Sequence, residues 1–93
     1  MYQSIIRKPL SAHPCANAYV TIYDNIITLT SYSTTVAKIE GEWLEVYGLY
    51  SATTRKHIGA FVREYAGTDY HLAKTICNQG LRYNIETGEV EPR

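Results

Sequence analysis

Between Tyr50 and Ile58 the chain reads Tyr-Ser-Ala-Thr-Thr-Arg-Lys-His-Ile, combining helix-start hydroxyls with three side chains able to carry positive charge. The first turn of a helix has backbone N–H groups without intrahelical partners and sits at the positive end of the helix dipole. Ser51 and Thr53 add hydroxyls and Arg55 and Lys56 add cations, so the stretch has the makings of a seat for a phosphate or carboxylate. The same residue types also make an ordinary capped helix. On a helical wheel Arg55, Lys56, Gly59 and Arg63 fall to one side, away from the apolar stripe of Ile58, Phe61, Val62 and Tyr65. Three cations and a glycine on one exposed helix face could lie along a phosphate backbone, Gly59 allowing close approach. The candidate binding residues are therefore Arg55, Lys56 and Arg63, with Tyr50, Tyr32, Ser51 and Thr53 around them.

His57 has the pKa range of a general base, but spacing sets only Glu64 near it and no nucleophile beside it. An enzyme built on it would draw on Ser51, Thr53 or Tyr32. The run Ser31-Tyr32-Ser33-Thr34-Thr35 sets five hydroxyls in succession, suited to a polar groove or to an edge strand. His13, His71, Cys15 and Cys77 match no zinc spacing, and no phosphate-binding loop, dinucleotide fingerprint or nucleophile elbow is present. No catalytic residue, cofactor or metal is expected.

Nine Lys/Arg balance nine Asp/Glu, with a pI near 6.8. A general polyanion binder carries a basic excess, so contact with nucleic acid has to come from a local patch. An apolar share of 45% with 19% charged residues fits a globular fold. The 93 residues are expected to form one domain, 1–93, in a reducing, cytoplasmic (host-cell) setting, with no segment long enough to span a membrane. Nine of the eleven aromatic residues are Tyr, which suits half-buried positions and contact surfaces.

Those residues must be positioned by a small set of elements. Tyr2–Arg7 reads as a first strand, closed by Pro9 and Pro14. Tyr19–Tyr23 and Ile26–Tyr32 form a hairpin turned at Asp24-Asn25, Thr34–Ile39 follows, and Glu40-Gly41 turns into Trp43–Tyr47. After Gly48 the period changes from 2 to 3.6. A helix is expected over 53–65, capped by Ser51 or Thr53 and closed at Gly67, and a second runs from Thr68 or Asp69 to Gln79 with Gly80 as terminator. Tyr83–Val90 reads as a closing hairpin or strand turned at Thr87-Gly88. The fold class is α+β, an antiparallel meander of about four to five strands packed against one or two helices, its outer face carrying Thr, Ser, Lys, Glu and Tyr.

The pattern Ser31-Tyr32-x-Thr34-x-Val36-Ala37-x-Ile39, followed by Gly48-x-Tyr50-Ser51-x-Thr53-Thr54-x-x-His57-Ile58-x-x-Phe61, resembles a family of small uncharacterised proteins of bacteria, phages and mobile elements. The resemblance spans roughly residues 29–65 and implies a phage or mobile-element accessory protein. Two functions are expected, the first leading and the second its alternative. One is a non-enzymatic binding protein acting on a host or defence-system protein through its Tyr-rich surface, as an anti-CRISPR-like inhibitor. The other is a nucleic-acid-binding module using Arg55, Lys56 and Arg63 on phosphates and Tyr side chains on bases. An uncovered strand edge also makes a homodimer an open expectation.

Overall fold

The structure, a computed structural model, describes residues 5–10 and 17–93. Tyr2–Ser4, His13 and Cys15 lie outside the described residues. Seven strands form one antiparallel sheet in sequential order: β1 (Ile6–Lys8), β2 (Ala18–Tyr23), β3 (Ile26–Ser31), β4 (Thr34–Glu40), β5 (Trp43–Val46), β6 (Leu81–Asn84) and β7 (Val90–Pro92). Between β5 and β6 the chain leaves the sheet for two helices, α1 (Ala52–Phe61) and α2 (Tyr70–Gln79), joined through a π turn at Val62–Ala66. The molecule is a slab, 34 × 33 × 19 Å.

Period-2 alternation decides which sheet face meets the helices. Ile22, Ile27, Ile39, Leu44 and Tyr83 align across five strands, and Val20, Leu29, Ala37 and Val46 form the next row. These rows meet Ile58, Phe61 and Val62 of the first helical segment and Ala73 and Ile76 of α2 in one core. Strict alternation breaks at Val36, which β3 skips between Thr30↔Thr35 and Leu29↔Ala37. That bulge lets consecutive residues, Val36 and Ala37, both be buried.

The expected four to five strands become seven, because the C-terminal segment forms two strands, β6 and β7, and β1 pairs with β2. β6 starts directly after the Gly80 cap and is only four residues long, too short to show a period of its own. The β4–β5 turn falls at Gly41-Glu42, one residue beyond Glu40-Gly41, with Gly41 taking the positive φ of 63° that the turn requires. The helix ends agree with the expected caps. Ser51 Oγ accepts from Thr54 N–H, Asp69 accepts from Leu72 N–H, and Gly67 and Gly80 close the segments in the left-handed conformation.

The outer sheet face carries stacked cations. Arg7 lies 4.4 Å from the Tyr19 ring centroid, Arg82 4.1 Å from that of Trp43 and Arg93 5.5 Å from that of Tyr47. Tyr47 donates to Glu45 (2.7 Å), and Lys38 pairs with Glu40 (3.0 Å). Burial, then the Glu45 bond, raises the pKa of Tyr47, while the Glu40 hydrogen bond raises that of Lys38. Among the described residues no helix is long and apolar enough to cross a membrane.

Candidate functional site: two grooves on one helix

The seven candidate residues divide between two grooves that share α1. Arg55, Lys56 and Arg63 line a groove of about 550 Å³ between α1 and α2. Lys74 completes it from α2, Tyr70 stands at the start of that helix, and Gly59 and Ala60 form the floor. Arg55 is steered by its Nε–H, which donates to the Leu49 carbonyl (3.2 Å). Arg63 projects from the π turn, a local widening of the helix that is common at functional positions.

The sequence picture of an exposed four-residue face needs one correction: Gly59 is buried. A Cβ at Gly59 would lie 3.6 Å from Tyr70 Cβ, so the missing side chain admits the second helix rather than a ligand backbone. The docking of α2 turns a convex charged face into a concave site and brings in Lys74 and Tyr70. Neither was legible, because the angle between two helices is not written in either one.

Charge is segregated within a chain of zero net charge. Residues 52–79 hold four Lys/Arg, all lining the groove, against Glu64 and Asp69. Six of the nine acidic residues (Glu40, Glu42, Glu45, Glu86, Glu89 and Glu91) lie outside the helices, on β4, β5 and β7 or in the β4–β5 and β6–β7 turns. The ion pairs among the described residues are Lys38–Glu40 and Arg82–Glu91, neither involving a groove cation. Next to Arg63, burial and then the charge of Glu64 raise the pKa of the Tyr65 hydroxyl.

Tyr32, Tyr50, Ser51 and Thr53 line the second groove, about 590 Å³, with Ser31, Thr34 and Thr54. It lies where the β3–β4 turn meets the start of α1. Ser31 occupies the core face of β3, opposite Ala18, and as a buried hydroxyl it needs partners. Ser51 Oγ donates to Thr54 Oγ1 (3.2 Å), Thr54 Oγ1 lies 3.1 Å from Ser31 Oγ, and Ser31 Oγ lies 3.0 Å from His57 Nδ1. The chain runs from an exposed helix cap to a histidine with 0% exposure.

His57 lies inside the core, with no exposed surface. The hydroxyl at its Nδ1 is that of Ser31, 26 residues earlier and set beside it only by sheet–helix packing. Glu64, its expected local partner, is exposed on the π turn. Of the hydroxyl run 31–35, Ser31, Tyr32 and Thr34 line the groove, at the β3–β4 turn inside the sheet and not on an edge strand. Among the described residues no three His, Cys, Asp or Glu side chains are grouped to hold a metal ion.

Both tyrosines are presented to solvent. Tyr32 has a positive φ of 62°, unusual for an aromatic residue, and is 52% exposed. Its amide donates to the Asn17 carbonyl (2.6 Å), and its ring centroid lies 6.3 Å from that of His57. Tyr50 is 66% exposed, with its ring against Gly48, where an added Cβ would fall 2.4 Å from the ring.

No curated protein and no solved structure matches the chain. A family of unknown function, DUF8033, matches residues 7–79, a span that takes in all of β2–β5, both helices and every residue of the two grooves. With more than three quarters of its 93 residues inside that match, the chain belongs to this family, DUF8033.

Proposed function

We propose that this chain is a non-enzymatic binding module that seats the phosphate backbone of a nucleic acid in the groove between α1 and α2. The observation that carries this reading is the convergence of two arginines and two lysines, from two helices, on one concave surface of a chain with no net charge. Holding four like charges around one groove costs mutual repulsion, and an anionic ligand relieves it. Arginine suits the bidentate geometry of phosphate, and lysine adds point charge.

Fluorescence anisotropy with a labelled oligonucleotide tests this. Affinity should fall with salt with a logarithmic slope of about −2 to −3, as about three to four single-strand phosphate contacts dictate. Charge reversal at both Arg55 and Arg63 should weaken binding at least tenfold, by roughly the loss of two charge-assisted contacts. Unchanged affinity in that double variant overturns the reading.

A second reading is favoured by the outer sheet face, where Tyr19, Trp43 and Tyr47 are held under arginines beside exposed Tyr23. Aromatic residues and arginine are the types enriched in protein interfaces. In the phage or mobile-element setting implied by the sequence resemblance, that face would engage a cytoplasmic host or defence protein as an inhibitor. Substituting Trp43 and Tyr47 by Ala without loss of a captured, stoichiometric partner would exclude the face.

A further inference from the structure

We infer that the hydroxyl-and-tyrosine groove is a base seat, and that the two grooves form one track for single-stranded nucleic acid. The inference rests on the phosphate reading of the basic groove. Its own support is the different chemistry of the second groove, which is lined by hydroxyls and two phenol rings and by no charged side chain. Such a surface suits a neutral, planar group with hydrogen-bonding edges, which is what a nucleotide presents once its phosphate is held elsewhere.

Continuity comes from helix geometry. Thr53 lines the second groove and Lys56 the first, and residues three apart on a helix stand about 5–6 Å apart at Cβ. The track therefore bends around the first turn of α1 without crossing the core. The floor of the base seat is stiff, since Ser51, Thr54 and Ser31 are tied into one hydrogen-bonded chain ending at His57. Thr34 and Thr53 stand at its rim. Tyr32 keeps a backbone conformation that favours Gly or Asn, and strain of that kind persists where a side chain must be presented. Tyr50 gains its position from the bare backbone of Gly48. Paired bases stacked inside a duplex cannot reach these two rings, so the track selects single strands.

The test measures anisotropy with a labelled deoxythymidine oligomer and with a duplex of equal length. Wild type should bind the single strand more tightly. Tyr50→Ala and Tyr32→Asn should each lower single-strand affinity by about tenfold, the loss of one stacked base, and leave duplex affinity unchanged. Asn is chosen at 32 because it tolerates the positive φ, and Tyr32→Phe, which keeps the ring, should bind like wild type. Gly48→Ala adds a Cβ that displaces the Tyr50 ring while keeping it in the chain. It should fall between wild type and Tyr50→Ala with its melting temperature preserved. Equal binding of single strand and duplex, with the tyrosine variants silent, overturns the track and leaves the basic groove standing. Absence of nucleic-acid binding by wild type overturns both.

Discussion

The two grooves share a helix and differ in how their polar groups are satisfied. At the start of α1, Ser51, Thr54, Ser31 and His57 satisfy one another in a chain that ends at zero exposure. On the other flank, neither described ion pair involves Arg55, Lys56, Arg63 or Lys74. A buried polar network is costly to break, because each group it abandons keeps its desolvation penalty. Exposed cations around a groove cost little to change, because water replaces whatever is lost. The difference teaches that one short stretch, Tyr50 to Ile58, fastens the helix to the sheet and also offers charge to a ligand.

The contrast breaks most visibly at His57. Replacement by Ala removes a fully buried ring and the group that Ser31 faces, and should cost about 3 kcal/mol of stability. Urea denaturation measures this, and a loss below about 0.5 kcal/mol would mean that the network does not hold the helix. Ser31→Ala should cost less, about 1–2 kcal/mol, since it leaves His57 Nδ1 and the Thr54 hydroxyl without their shared partner. Combined with Thr54→Val, the two losses should sum to less than their separate values, because both act on one chain. Strict additivity would show that the hydroxyls act independently.

Gly59 sharpens the comparison with a change of opposite sign. It sits inside a helix with a φ in the ordinary range, and an added Cβ would meet only Tyr70 Cβ, at the ordinary contact distance of 3.6 Å. Gly59→Ala should therefore stabilise the fold by up to about 1 kcal/mol through helix propensity. For a domain of this size that raises the melting temperature by about 4–8 °C. Because the methyl fills the seam against Tyr70 and not the space of a ligand, phosphate affinity should stay at the wild-type level. A variant that melts lower would place α2 closer to α1 than the geometry here allows.

What was legible in the sequence follows the range of the interactions. The Asp24-Asn25 turn, the Ser51 and Asp69 caps and the Gly67 and Gly80 terminators are encoded within a few residues, and each is found where local chemistry puts it. Arg55, Lys56 and Arg63 share one flank because helical spacing puts them together, and the docking of α2 makes that flank a groove. Lys74 and Tyr70 join them only through helix–helix docking, and Ser31 meets His57 only through sheet–helix docking. Neither docking has a local signal. The bulge at Val36 shows the same limit on a smaller scale, since consecutive buried residues contradict the alternation that identifies a strand. Single-strand periods locate elements, and partners decide the site.

The smallest expected effect on stability is the one that carries the functional contrast furthest. Arg63 stands on the π turn with three other cations around its groove and takes part in neither ion pair. Arg63→Glu should change stability by no more than about 0.5 kcal/mol. The sign at low ionic strength should favour the variant, because a like-charge repulsion becomes an attraction toward Lys56 or Lys74. Raising the salt should erase that gain as the charges are screened over about 10 Å at 0.1 M. Thermal melts at two ionic strengths measure both statements. A loss larger than about 1 kcal/mol, insensitive to salt, would make Arg63 a packing residue. The basic groove would then be a second structural clamp like the serine–histidine chain, and the four cations would no longer be held in reserve for a ligand.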